Sequence, residues 1–126
     1  MNKSELYGIW GESNRRFRYA EEIAPDIYEK YPIIKSIGVT GSTTRGEAHG
    51  KRKGEPASDL DLIIVVLDKK MKQAMEIKRE LTHKYARGPY YVEIYPVSVT
   101  SWDSPEKSSE YETKYSTILI PKKKQT

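Results

Sequence analysis

The stretch from Gly41 to Val66 decides the fold: it begins Gly41-Ser42-Thr43-Thr44-Arg45-Gly46 and ends Ser58-Asp59-Leu60-Asp61-Leu62-Ile63-Ile64-Val65-Val66. Alternate residues of a strand share a face, so Asp59 and Asp61 project to the same side, about 6.5–7 Å apart along the strand. The unbroken apolar run after Asp61 predicts a strand that is buried on both faces. Two carboxylates at the rim of such a strand need a positive charge to offset theirs, and a divalent cation held between them would supply it.

A turn of small residues precedes this strand. The apolar run Ile33–Val39 predicts a first strand, and Gly41 after it permits a tight turn with a close approach of the backbone. If a short helix begins near Ser42, its first N–H groups and the Ser42 hydroxyl form a site for phosphate oxygens. The alternative is that Ser42 only caps that helix. Arg45 either braces the turn or contacts a phosphate.

The rest of the chain alternates between predicted helices and strands. Residues 1–11 are predicted as a strand or a packed arm, and Ser13 as the N-cap of the next helix. Further predicted elements are a helix over Asn14–Lys30 that Pro25 kinks or restarts, a helix over Lys69–Arg87 with its methionines in the core, a strand over Tyr90–Val99, a helix beginning near Pro105 with Trp102, Tyr111 and Tyr115 as anchors, an edge strand over Thr117–Ile120 and a basic tail at Lys122–Lys124.

This order of elements predicts an α/β fold within a single domain that spans residues 1–126. We expect a small mixed sheet that carries the carboxylates on one surface and has helices packed on one side, behind it. In the third strand Glu93 shares a face with three apolar or aromatic residues, Tyr91, Tyr95 and Val97. Such a glutamate is either part of a site or paired with a lysine at a sheet edge.

The ordered motifs resemble those of the polymerase-beta-like nucleotidyltransferase superfamily, and within it the minimal nucleotidyltransferase branch. The matching pattern is the apolar strand Ile37–Thr40, then Gly41-Ser42, Arg45-Gly46 and Ser58-Asp59-Leu60-Asp61-Leu62, with Glu93 where a third acidic residue is expected. The resemblance covers Ile33 to Val99, about half of the chain. The sixteen residues from Thr43 to Ser58 separate Ser42 from Asp59, several more than the family usually has.

The resemblance implies a Mg²⁺-dependent transferase that moves a nucleoside monophosphate, AMP from ATP, onto an acceptor hydroxyl. Asp59, Asp61 and Glu93 would be the catalytic and metal-binding residues for Mg²⁺ or Mn²⁺, and Gly41, Ser42 and Arg45 would bind the nucleoside triphosphate. In the minimal branch the acceptor is often a partner protein, notably a HEPN-type toxin, and sometimes RNA. Proteins of that branch commonly lack an acceptor-binding domain, and we expect the same here, so that a separate partner or a homodimer would complete the site.

Composition excludes several classes of site. There is no cysteine, which removes disulfides, thiolate nucleophiles and cysteine-bound zinc, and the chain has two histidines. Oxygen ligands then favour a hard cation. The 22 Lys and Arg against 18 Asp and Glu leave +4, a mild bias toward anionic partners. No apolar run approaches eighteen residues and the N-terminus lacks a signal-peptide core, so we expect a cytoplasmic protein without a membrane partner.

Two other classes of function remain open. A catalytically inactive relative could act as a nucleic-acid-binding module through its basic residues, namely Arg15, Arg16, Arg18, Lys51, Arg52 and Lys53. An inactive chain could also be a structural or antitoxin-like subunit that acts by binding its partner. The basic loop His49–Pro56 is either a flap that closes on a triphosphate or nucleic-acid end, or an exposed hairpin loop.

Overall fold

The fold is a four-stranded mixed sheet with helices, seen in a computed structural model that describes residues 3–51 and 54–122. In chain order the elements are α1 (Lys3–Lys30), β1 (Ser36–Thr40), β2 (Leu60–Val66), α2 (Met71–Lys84), β3 (Val92–Ser98), α3 (Val99–Asp103), α4 (Ser108–Ser116) and β4 (Ile118–Ile120). Single 3₁₀ turns precede the β1–β2 connection at Gly41–Thr43 and precede α2 at Asp68–Lys70. The predicted α/β class is confirmed.

The sheet has the strand order β3-β2-β1-β4. Strands β2 and β3 run parallel, joined by α2, whereas β1 is antiparallel to both β2 and β4. The predicted edge strand near the C-terminus is confirmed as β4. Because β2 and β1 are the inner strands, the Asp59–Val66 segment lies at the centre of the sheet.

The core lies between one face of the sheet and the two long helices. Leu60, Leu62, Ile64 and Val66 of β2 are fully buried there among the apolar residues of α1 and α2. Ile63 and Val65 point to the opposite face and are also buried. This confirms the prediction that β2 is covered on both sides. The short helices α3 and α4 lie toward the second face, which carries the carboxylates.

The N-terminal helix is longer than its sequence predicts. Residues 1–11 were expected as a strand or arm, but α1 already begins at Lys3 and runs through Pro25 as one helix. Ser13 is therefore inside the helix, where its hydroxyl accepts a hydrogen bond from the Ala48 amide at 3.2 Å instead of capping. Gly8 and Gly11 lower the intrinsic helix propensity of this stretch, but propensity is a weak constraint compared with tertiary packing.

Several other boundaries and anchors differ from expectation. Strand β1 starts at Ser36, because Ile33 and Ile34 lie in a turn in which the Ile34 amide bonds the Tyr31 carbonyl. Met75 is 43% exposed, so it is not a core residue, and Tyr115, expected as an anchor, is 77% exposed. Trp102 is half-buried. The Tyr111 side chain and residues 123–124 of the predicted tail lie outside the description.

Within the two described segments, no helix has the length and apolar character needed to cross a membrane.

Candidate functional site

The register of the sheet brings two of the predicted acidic residues side by side. Asp61 on β2 pairs with Glu93 on β3 on one side and with Thr40 on β1 on the other. Paired residues on neighbouring strands point to the same face. Asp59 lies two residues earlier, just before β2, where it is exposed and projects to the same side. All three predicted carboxylates therefore belong to one surface of the sheet.

Asp61 is in an electrostatically unfavourable position for a carboxylate. Burial, and then the negative charges of Asp59 and Glu93, raise the pKa of Asp61 from 3.8 to about 6, while Arg45 acts in the opposite direction. The two neighbouring carboxylates are thus close enough to disfavour its ionised form. Such a strongly perturbed carboxyl group beside a cleft is a typical feature of a functional site.

Gly41 is required by its conformation and by its neighbour. Its φ of 75° lies in the left-handed region, and a Cβ built on it would overlap the Asp61 Oδ2 atom. The backbone of the turn therefore passes directly against the carboxylate. The sequence-based expectation of a close backbone approach at Gly41 agrees with this geometry.

The turn after β1 is shorter than a helix that could attract an anion by itself. It is a three-residue 3₁₀ turn whose N-cap is Thr40, so Ser42 does not cap it. The Ser42 carbonyl accepts the Glu47 amide at 2.9 Å, which closes the connection. Thr43 is buried, and its hydroxyl has no hydrogen-bond partner among the described atoms.

Arg45 is exposed at the rim of the site. Its Nε donates to Glu47 Oε2 at 3.0 Å, and the side chain lines the pocket that Asp61 also lines. An exposed ion pair of this kind contributes little to stability. Arg45 thus contacts Glu47 across the turn without stabilising it strongly, and it lies where it could also contact an anion in the pocket.

Glu93 has a second neighbour on the side away from Asp61. Its Oε1 lies 3.9 Å from the Nζ of Lys78 on α2, and Lys78 also lies over the Tyr95 ring. Since β3 is an edge strand, this is the lysine pairing that was an alternative explanation for the glutamate. Glu93 thus both faces Asp61 and contacts a cation.

The donor atoms suit a hard divalent cation, but they do not converge. In the described part of the chain, no group of three or more His, Cys, Asp or Glu side chains is arranged to hold a metal ion. The three carboxylates are close enough for mutual repulsion to raise the pKa of Asp61. Their oxygens are the ligands that Mg²⁺ and Mn²⁺ prefer. The three residues have suitable oxygen atoms and lie on the same face of the sheet. Their side chains would have to rotate to bind one ion together.

A pocket of about 480 Å³ opens beside Asp61, between the second face of the sheet and helices α3 and α4. This volume is typical of a site for one small organic ligand. Its walls combine an apolar floor, one arginine and a polar face of α4. Its lining includes Arg45, Ile63, Trp102, Glu112, Thr113 and Ser116.

Arg16 organises the base of the site and was not identified from the sequence as a structural residue. It is 1% exposed, and its guanidinium donates to the Ser58 carbonyl at 3.2 Å and to the His49 carbonyl at 3.0 Å. It also bonds the Glu12 carboxylate at 2.7 Å and stacks over the Tyr90 ring. Because Ser58 directly precedes Asp59, Arg16 fixes where β2 begins. Its position in phase with Ala20, Ile23 and Ile27 on α1 was the available signal.

The same clamp closes the neck of the basic loop. The His49 amide donates to Ser58 Oγ at 2.9 Å, and the Ser58 amide donates to the His49 carbonyl at 2.8 Å. The extra residues between Ser42 and Asp59 therefore form a loop with joined ends. Because Arg16 is buried, it is not available for the nucleic-acid binding expected from the sequence. Arg52 and Lys53 lie outside the described residues.

Comparison with known proteins supports the fold alone. No protein-family model matches the sequence, and no curated protein matches it closely enough to be counted. The chain is similar to a solved structure from Sulfolobus solfataricus described as a "putative nucleotidyltransferase", with a TM-score of 0.60 and 19% identity. That similarity covers 97% of this chain and 90% of the other. The whole described architecture is thus that of a nucleotidyltransferase-like fold.

Proposed function

We propose that this chain is a Mg²⁺-dependent nucleotidyltransferase that transfers a nucleoside monophosphate, AMP from ATP, to an acceptor hydroxyl on a partner protein or an RNA. The observation that carries the proposal is the register that sets Asp61 between Thr40 and Glu93, with Gly41 packed against the Asp61 carboxylate and Asp59 on the same face, at the mouth of a ligand-sized pocket. The nucleotidyltransferase-like fold around this site supports it.

Asp59, Asp61 and Glu93 would hold the cation, which is Mg²⁺ or Mn²⁺ by the chemistry of its oxygen ligands. When bound, the cation neutralises phosphate charge and lowers the pKa of an acceptor hydroxyl. The raised pKa of Asp61 supports this role, because a carboxylate that its surroundings disfavour gains more from a nearby positive charge.

The remaining residues would place the nucleotide. Phosphoryl and nucleotidyl transfer depend mainly on positioning and charge stabilisation, with little covalent help from the protein. Gly41 keeps the turn against the Asp61 carboxylate, so a phosphate bound at the turn would lie beside the cation, and Ser42 follows it with a hydroxyl group. Arg45 can leave Glu47 for a phosphate at small cost, because that ion pair is exposed.

The second candidate is a non-catalytic subunit that binds a partner protein. The contact between Glu93 and Lys78, together with the lack of a converged metal cluster in the described segments, favours it. Against it stands the crowding of three carboxylates, which a simple binding module would not require. A polyanion-binding version is less favoured, since Arg16 is buried.

Label transfer from ATP distinguishes the candidates. The protein is incubated with Mg²⁺ and with protein and RNA fractions of its source cell, using ATP labelled either at the α- or at the γ-phosphorus. Nucleotidyl transfer attaches the α-label to an acceptor and leaves the γ-label in released pyrophosphate. The Asp59→Asn and Asp61→Asn variants, shown to be folded, should lose the transfer.

Retention of the γ-label on the acceptor would instead indicate phosphoryl transfer, and the proposed reaction would be wrong. Transfer that persists in both folded Asn variants would show that the carboxylates are not the reactive centre. If an unlabelled partner copurifies and no label moves, the non-catalytic candidate is correct.

A further inference from the structure

The pocket beside Asp61 has two chemically different ends. One end carries Gly41, the Asp61 carboxylate and the cationic side chain of Arg45, and it would suit an anionic group once a cation offsets the charge of Asp61. The opposite wall is a face of α4 formed by Ser109, Glu112, Thr113 and Ser116, which we call the α4 wall. Their spacing of three and four residues makes them one continuous stripe of the helix. Ser109 and Glu112 are exposed, whereas Thr113 and Ser116 are half-buried at the pocket, so these two are the residues of the stripe best placed to contact a ligand.

Two hydroxyl groups of the α4 wall, those of Thr113 and Ser116, already donate their hydrogens to the helix. Thr113 Oγ1 donates to the Ser109 carbonyl at 2.9 Å, and Ser116 Oγ donates to the Glu112 carbonyl at 2.7 Å. A hydroxyl has one hydrogen and two lone pairs, so these two groups keep acceptor capacity toward the pocket, of which Thr40 Oγ1, 3.5 Å from Ser116 Oγ, takes up a part. The carboxylate of Glu112 is also an acceptor. The wall therefore matches a ligand group that donates hydrogen bonds, and it repels phosphate, which is an anionic acceptor.

The floor between the two ends is apolar. Ile63 and Val97 line it from the sheet, and the half-buried Trp102 closes it from α3. Aromatic and aliphatic surfaces of this kind accept the flat face of a base, and stacking on a tryptophan is tolerant of base identity. A single ligand that fills the pocket thus has an anionic end, a flat apolar middle and a donor-rich surface.

From this arrangement we infer that the α4 wall is the subsite for the nucleoside part of the nucleotide, and that Thr113 and Ser116 accept hydrogen bonds from its hydroxyl or amino groups. The inference rests on the proposed function and adds the residues that read the nucleoside. The triphosphate lies toward Arg45 and the nucleoside lies against α4.

Calorimetric titration with two ligands tests the assignment: ATP, and inorganic triphosphate, which lacks the nucleoside. Both are used with Mg²⁺ and without an acceptor, on the full chain. Thr113→Val keeps the shape of the side chain and removes its oxygen. It should raise the Kd for ATP roughly three- to tenfold, as expected for one lost hydrogen bond, and leave triphosphate binding unchanged. Ser116→Ala is a second variant with the same expected pattern.

Thr82→Val on α2 is the matched control, because Thr82 is half-buried in a helix but does not line the pocket. It should change neither affinity. The inference is overturned, and the proposed function stands, if Thr113→Val and Ser116→Ala weaken the binding of both ligands equally. The same holds if they weaken the binding of neither ligand while wild type binds ATP. If wild type binds neither ligand, the proposed function fails and the inference fails with it.

Discussion

Replacing Asp61 by Asn should stabilise the metal-free protein at neutral pH while removing its ability to bind nucleotide. The folded state raises the pKa of this carboxyl from 3.8 to about 6. Well below pH 3.8 the group is protonated in both folded and unfolded chains and contributes no difference; between about pH 4 and 6 the unfolded chain ionises while the folded chain stays protonated, so the penalty grows. As the pH rises through 6, the folded protein must carry an ionised carboxylate that its surroundings disfavour, so the penalty is complete above pH 7.

The size of the effect follows from the two pKa values. Each pKa unit corresponds to about 1.4 kcal/mol, so a rise from 3.8 to about 6 corresponds to about 3 kcal/mol at most. Asp61 is only half-buried, and residual hydration reduces that figure. We expect Asp61→Asn to raise the free energy of unfolding by about 1–3 kcal/mol at pH 7.5 and by almost nothing near pH 3.5.

The assay is urea unfolding at several pH values in EDTA, because a bound cation would add its own stabilisation to the wild type. Asp26→Asn serves as the control: Asp26 is exposed on α1, and its replacement should change stability by less than about 0.5 kcal/mol at every pH. A variant that is less stable than wild type at pH 7.5, or a gain that does not depend on pH, would refute the electrostatic reasoning.

Three further substitutions test individual contacts. Gly41→Ala should lower stability in thermal unfolding clearly more than Gly54→Ala does. Both glycines have a positive φ, which costs alanine about 1 kcal/mol, but of the two only Gly41 lies where a Cβ would meet another atom. Equal losses would contradict the close approach. Arg16→Met should cost about 1–3 kcal/mol in urea unfolding, because it removes the side-chain donor of the Ser58 carbonyl and one of the two donors of the His49 carbonyl and of the Glu12 carboxylate; a loss below about 0.5 kcal/mol would show that the clamp is unimportant. Lys78→Met should change stability by less than about 1 kcal/mol and should keep or tighten Mg²⁺ binding, since Lys78 competes for Glu93; weaker Mg²⁺ binding would count against Glu93 as a ligand.

The strand that carries the carboxylates could be predicted because its signal is local. The apolar run from Leu62 to Val66 has the length of a strand, and the two-residue spacing of Asp59 and Asp61 fixes their common face whatever the rest of the chain does. The short edge strand β4 was identified for the same reason. The partnership of Asp61 with Glu93 needed the strand order, which a single sequence does not contain.

Residues whose role depends on tertiary contacts were harder to assign. Arg16 was grouped with the basic residues that could bind nucleic acid, because charged residues are seldom fully buried, although it lies in phase with the apolar stripe of α1. The α4 wall had the composition of an ordinary exposed helix face, and only the cavity beneath it distinguishes the two cases. Met75 and Tyr115 show the opposite error, since apolar side chains on a helix were assumed to be buried.

The most direct test of the central claim is calorimetric titration of wild type and Asp61→Asn with ATP, GTP, CTP and UTP, each in Mg²⁺ and in EDTA. The account predicts saturable binding of ATP that requires Mg²⁺ and is lost in the folded Asp61→Asn variant. Binding that is unchanged by EDTA and by the substitution, or no binding of any nucleotide by the wild type, would contradict a metal-dependent nucleotide site at these carboxylates.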